Sequence, residues 1–271
     1  MSTVLDDIIK GVRIDMAARM VKTAPSALEA RIAGLGPTID PRPAFRADPI
    51  SIIAEVKRSS PSKGHLADVT DPAEIAWAYQ EGGASAISVL TEQRRFHGTL
   101  DDLAAVRAKV SIPVLRKDFV VDPYQVLEAR AWGADLVLLI VAALDDRQLH
   151  ELNSLALDLG LLPLVEVHTP EETRRAVDLG AELIGVNNRN LKTLEVDLAQ
   201  FERLRPLVPD DRIAVAESGI TGPQDVARVR AAGADVALIG EALVTSGDPR
   251  TSVRTMIQVS EDIQVSAPVA Q

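Results

Sequence analysis

The sequence predicts an α/β protein of the (β/α)8 TIM-barrel class with an N-terminal helical extension. Three observations carry this reading. Four segments share the pattern Gly-Ala, one residue, then an apolar run, with the glycines at 83, 133, 180 and 233. Between each pair lies a second short apolar run, so each interval of about 50 residues holds two strands rather than one. The stretches between strands are amphipathic, and several open with Asp or Thr followed by Pro, a helix-start signal.

Taken in order, residues 1–47 lie outside the repeat. Val4–Lys22 reads as a helix, with apolar residues at Val4, Leu5, Ile8, Ile9, Val12 and Met16. Pro37, Pro41, Pro43 and Pro49 then break the chain. The segment is expected to pack on the barrel, with an interface helix as the other reading. Strands are predicted over 50–56, 82–89, 112–116, 133–140, 161–167, 180–186, 212–217 and 233–239. Helices are predicted over 72–81, 123–132, 145–159, 170–179 and 223–232. Each repeated glycine closes its helix as a C-terminal cap. The barrel occupies 48–260, and 261–271 reads as a loose tail. A doubly wound open sheet is the alternative, but quarter-barrel repetition explains the four-fold echo directly.

Composition narrows the function. Aromatics are only 3% of the 271 residues, so the core is aliphatic, as buried parallel strands require. The net charge of −10, from 29 Lys+Arg against 39 Asp+Glu, argues against nucleic acid or an anionic membrane as partner. An anionic ligand would therefore need local cations. The absence of cysteine excludes disulfides, thiolate catalysis and Cys-based metal sites. His65, His97, His150 and His168 show no metal-ligand spacing, so no metal site is expected. The acidic N-terminus is unlike a signal peptide, and the longest apolar run, 136–144, is far short of the roughly 18 residues of a membrane span. A cytoplasmic location is expected.

Active sites of such barrels form at the carboxyl ends of the strands. The two-residue alternation of a strand puts Glu55, Lys57, Lys117, Glu166, Asn187 and Glu217 on inward faces at those ends. Charges there are costly unless paired or used, and neighbouring carboxylates and ammoniums suit acid–base work. The loops after the seventh and eighth strands, Glu217-Ser218-Gly219-Ile220 and Ile239-Gly240-Glu241-Ala242, sit where such barrels hold phosphate. The loop Ser59-Ser60-Pro61-Ser62-Lys63-Gly64 reads as a lid carrying one cation.

These residues fall in motifs that resemble the signature segments of the indole-3-glycerol-phosphate synthase family. They are Glu55-Val56-Lys57-Arg58-Ser59-Ser60-Pro61-Ser62-Lys63-Gly64, Leu115-Arg116-Lys117-Asp118-Phe119, Leu164-Val165-Glu166-Val167-His168, Gly185-Val186-Asn187-Asn188-Arg189-Asn190-Leu191 and Ala216-Glu217-Ser218-Gly219-Ile220. Thr91-Glu92 and Ile239-Gly240-Glu241 agree as well. The resemblance spans nearly the whole chain. It departs at Ser59, where many members have Ala, and at Glu241, where some have Ser.

The resemblance implies ring closure, decarboxylation and dehydration of 1-(2-carboxyphenylamino)-1-deoxyribulose 5-phosphate, a step of tryptophan biosynthesis that needs no cofactor or metal. It implies Lys117 as general acid, Glu166 as general base and Lys57 as holder of the substrate carboxylate. Glu55, Asn187 and Glu217 would position these groups. Ser60, Arg189 and Phe119 would contact or support the substrate, Phe119 against its aromatic ring. Ser218, Gly219, Gly240 and Glu241 would hold the phosphate, mainly through backbone. The expected partner is a phosphorylated small molecule, with no nucleic acid and no membrane, and the chain a monomer or weak homodimer. Phosphoribosylanthranilate isomerase relies on a Cys that is absent here. A metal-dependent phosphosugar epimerase would need a His/Asp set that is not found. A catalytically silent phosphate-binding barrel remains a third reading, though nothing is missing from the ring of charges.

Overall fold

The computed structural model describes residues 3–57, 59–60, 64–65, 71–191, 193–245 and 247–265, with backbone alone at 59–60, 64–65 and 259–265. Among them, eight parallel strands close into a barrel: β1 (Ser51–Val56), β2 (Ala86–Leu90), β3 (Val114–Lys117), β4 (Leu136–Ile140), β5 (Leu162–Val167), β6 (Leu183–Asn187), β7 (Ile213–Glu217) and β8 (Val236–Ile239). Each strand pairs with its sequence neighbours, and β1 closes the ring against β8, with Ser51 opposite Val236. The open-sheet alternative is therefore excluded.

The strands form where short branched-aliphatic runs meet strong helix-start and helix-stop signals. Helices α4 (Pro72–Glu81), α6 (Pro123–Ala131), α8 (Pro170–Asp178) and α10 (Pro223–Ala231) all open on proline. Asp71, Asp122 and Thr169 cap three of them by accepting first-turn amides. After these helices the repeated glycines Gly83, Gly133, Gly180 and Gly233 turn the chain into the next strand at φ between 81° and 102°. The repeat extends to side chains. Asp135 Oδ2 accepts the Val114 amide at the start of β3 (2.9 Å), and Asp235 Oδ2 accepts the Ala214 amide of β7 (2.8 Å). The same Gly-Ala-Asp segment thus pins a neighbouring strand twice, half a barrel apart.

The extension packs on the barrel. Helix α1 (Val4–Lys22) begins at Thr3, whose hydroxyl and the Asp6 carboxylate form a reciprocal capping box. Leu5, Ile8, Val12 and Met16 are buried along one face. Arg19 then makes a bidentate pair with Glu128 of α6, at 2.6 and 3.0 Å. Glu128 in turn meets the fully buried Arg116 on the outward face of β3, which also binds Asp118 at 2.9 Å. A second short helix, α2 (Pro25–Ala33), buries Leu28 beside Tyr124 and Ala131 of α6. At the other end, α12 (Pro249–Val265) continues past residue 260, where the sequence reading begins a loose tail.

The loop read as a lid has backbone pairing of Ser59 with His65 and Ser60 with Gly64. Its cation, Lys63, and the Ser60 side chain lie outside the described residues.

Candidate active site

The barrel strands deliver their last residues to one rim, where a cavity of about 630 Å3 opens. Glu55, Lys57, Lys117, Glu166 and Asn187 line it, together with Phe119, Arg189, Ser218, Gly219, Gly240 and Glu241. Glu55, Lys57, Lys117, Glu166 and Asn187, which strand alternation points inward, thus share one cavity. Glu217 differs in depth. It is fully buried and absent from the lining, lying beneath Lys117.

Lys117 is the hub. Its Nζ stands 2.6 Å from Glu217 Oε2, 3.8 Å from Glu55 Oε2 and 4.0 Å from Glu166 Oε2. Burial works against its charge, but Glu217, Glu55 and Glu166 prevail and hold the ammonium well above the ordinary lysine range. Lys57 Nζ lies 3.0 Å from the other oxygen of Glu55. Burial pushes the Glu55 carboxyl up, yet Lys57 and Lys117 outweigh it and keep it below the usual range. At Glu166, burial is overcome by His168, Lys117 and Asn187, and the carboxyl stays ionised. Glu217 goes the other way: burial and repulsion from Glu166 exceed the pull of Lys117, so its carboxyl is raised. Two neighbouring carboxylates are thereby pushed apart in acidity, one kept ionised and one drawn toward protonation.

Two glycines make room for this packing. A Cβ on Gly185 of β6 would stand 2.0 Å from Glu217 Oε1, and one on Gly240 would stand 2.6 Å from Glu55 Oε1. Each carboxylate thus occupies space that a side chain at the neighbouring glycine would fill.

Directly after β7, Ser218 and Gly219 are consecutive left-handed residues, with φ of 64° and 80°. The backbone there bends sharply beside the cavity, which both residues line. Gly219 also lets Val196 approach, since a Cβ there would lie 2.5 Å from Val196 Cγ1. Gly240 and Glu241 open the short helix α11 (Glu241–Val244) alongside. Arg189 is held by Leu194, whose carbonyl accepts from Nη1 at 2.9 Å, while the Arg189 amide donates to Asn187 Oδ1 at 2.9 Å.

Several lining groups escaped the sequence reading. Leu138 and Ile140 of β4 and Leu238 of β8 supply apolar wall, and alternation applied to β4 and β8 would have found them. Phe96 stands 6.3 Å from Phe119, ring to ring, and 5.9 Å under Lys57 Nζ. It sits in an irregular loop after β2, where no periodicity marks it. A smaller cavity runs from Phe96, Phe119 and Lys57 to Val4, Leu5 and Ile8 of α1, so the extension reaches the rim of the site. Among the described residues, no three His, Asp or Glu side chains are placed to share a metal ion.

A family model described as indole-3-glycerol phosphate synthase matches residues 5–256. The chain belongs to the indole-3-glycerol phosphate synthase family. It is 62% identical to the indole-3-glycerol phosphate synthase of a Nocardioides species, over 95% of this chain and 99% of that one. Synthases of the same name from Mycolicibacterium gilvum and Rhodococcus jostii are 57% and 56% identical, each over 94% of this chain and 94% and 95% of their own. Among solved structures, a 3-hexulose-6-phosphate synthase superposes with a TM-score of 0.62 at 18% identity, over 78% of this chain and 99% of that one. Thiamine phosphate pyrophosphorylase from Pyrococcus furiosus gives 0.60 at 18%, over 79% and 96%. At that identity the two likenesses speak for the barrel alone.

Proposed function

We propose that this chain is an indole-3-glycerol-phosphate synthase, a carboxy-lyase of tryptophan biosynthesis. It closes the ring of 1-(2-carboxyphenylamino)-1-deoxyribulose 5-phosphate with loss of carbon dioxide and water. The observation that carries the reading is Lys117, held between three buried carboxylates at the strand ends of a chain of this family.

Lys117 is the general acid. Its cage keeps a proton on Nζ, ready for the substrate carbonyl oxygen as negative charge develops there, and later for the departing hydroxyl. Glu166 is the general base for dehydration, supported by its ionised state and its place across from Lys117. Lys57 takes the substrate carboxylate until it leaves as carbon dioxide. Glu217 holds Lys117 from below, and Glu55 shares both lysines. Asn187 orients Glu166 and the Arg189 backbone.

Phe119, with Phe96 beside it, lies against the aromatic ring. The backbone at Ser218, Gly219, Gly240 and Glu241 takes the phosphate, with Arg189 at the rim; Ser60 is assigned as a further substrate contact. Holding a flexible substrate at both ends brings the reacting carbons together, where positioning contributes most. The need for local cations follows from a net charge of −10 and a substrate with two acidic groups.

No helix among the described residues is long and apolar enough to cross a membrane. The proposed enzyme is cytoplasmic, a monomer or weak homodimer, and acts apart from membranes and nucleic acid, which its net charge of −10 would repel. The test is incubation with the carboxyphenylamino substrate, followed by mass spectrometry of the product and measurement of released carbon dioxide. Equimolar indole-3-glycerol phosphate and carbon dioxide are expected, and absence of both overturns the assignment.

A further inference from the structure

One buried titratable group beside the ring has no part in the mechanism above. His168 follows β5, with its side chain only one-tenth exposed. Its Nδ1 lies 3.2 Å from Glu172 Oε2, and its Nε2 lies 3.3 Å from Glu166 Oε1, too far off line for a formed hydrogen bond. The same Glu172 oxygen accepts the His168 backbone amide at 2.7 Å. Glu172 sits in the first turn of α8, its own amide donating to the Thr169 cap. The ring therefore stands between two carboxylates, one in the catalytic cavity and one outside its lining.

A neutral imidazole carries one N–H and one lone pair. In this position it would set that lone pair against a carboxylate oxygen on one side. Only the imidazolium offers a proton to both. The charges around Glu166 point the same way. Its other oxygen faces Lys117 of β3, but Lys117 is nearer to Glu217 of β7 and Glu55 of β1, and Lys57 is engaged with Glu55. Asn187 of β6 contributes a neutral amide. Among the described residues, His168 thus gives Glu166 its closest cation.

We propose that His168 is a positioning residue for Glu166: as an imidazolium bridging Glu172 to Glu166, it keeps that carboxylate ionised and fixed before substrate arrives. This rests on Glu166 being the base of the reaction. Burial disfavours the charged ring, but Glu166 and Glu172 overcome it and push His168 up to about 10.

The experiment compares pH profiles of kcat/KM for wild type, His168→Asn and Glu166→Gln, by indole fluorescence. Removing a cation within about 4 Å of a carboxylate raises that carboxylate's titration by about one to three pH units. His168→Asn should therefore move the acid limb upward by that much, with turnover recovering toward wild type at higher pH. A drop of equal size at every pH, or superimposable profiles, would mean that His168 only packs, and would overturn the proposal. Glu166→Gln separates the two readings: its collapse upholds the base role, and its near-normal turnover removes that role and the proposal with it.

A second measurement does not depend on His168→Asn folding. The imidazole carbon resonances of wild type should show His168 charged up to at least about pH 9, and Glu172→Gln should bring its midpoint down toward the ordinary value of about 6.5. A wild-type ring already neutral at pH 8 would overturn the proposal.

Discussion

Replacing Gly185 with alanine adds one methyl group to the middle of β6, where the backbone itself accepts any residue. The cost lies in space. The new Cβ would stand 2.0 Å from Glu217 Oε1 and 3.1 Å from Leu164 Cδ1, whereas ordinary contact begins near 3.4 Å. The carboxylate must therefore retreat by about 1.4 Å, on the scale of misplacements that cost about a hundred-fold in rate. Glu217 Oε2 now holds Lys117 at 2.6 Å. Stretching that contact to about 4 Å weakens the attraction by about 2 kcal/mol at an effective dielectric of about 20. If half or more of the loss reaches the transition state, kcat falls by about five- to thirty-fold. Overpacking should cost about 1–3 kcal/mol of stability as well, so unfolding midpoints and kcat should be measured on the same preparation. A folded Gly185→Ala enzyme with kcat within two-fold of wild type would refute the role of Glu217 in holding Lys117.

Other perturbations probe separate parts of the molecule. Gly219→Ala forces a side chain into a left-handed residue and against Val196, and should raise KM by about ten-fold with a smaller effect on kcat; a pure kcat defect would contradict the phosphate role of this turn. Arg19→Ala leaves the buried Glu128 with Arg116 alone and should lower stability by about 1–3 kcal/mol in urea unfolding; no change would show that the pair does not anchor the extension. His168 has its folded-state titration raised from about 6.5 to about 10. Its charge therefore contributes stability that is complete below about pH 6.5 and is lost as pH rises toward about 10. The stability gap between wild type and His168→Asn should narrow across that window, and a constant gap would contradict the bridge.

Much of this was legible in the sequence because strand periodicity and barrel topology are local rules. Once Glu55, Lys117 and Glu166 are placed near strand ends with the right parity, closure brings them to one cavity. What parity does not give is reach and depth. Lys117 and Glu217 are a hundred residues apart, and their contact crosses the barrel, so the burial of Glu217 beneath the lysine depends on side-chain length and the space left by Gly185. Phe96 sits in a loop without a period. The pairing of His168 with Glu172 requires the turn from β5 into α8 to fold the chain back on itself. The amphipathic face of α1 announced packing, but its anchor, Arg19 on Glu128, joins elements far apart in sequence. The helix to Val265 extends past the expected boundary because nothing in residues 261–265 breaks it.

In the proposed reaction, Lys117 delivers the proton for ring closure from within its cage of carboxylates. The most direct measurement is turnover of the carboxyphenylamino substrate by wild type and by Lys117→Ala, followed through indole fluorescence under single-turnover and steady-state conditions. Wild type should turn over robustly, and the variant should lose about a hundred- to ten-thousand-fold. Near-normal turnover by a folded Lys117→Ala enzyme would contradict this role of Lys117.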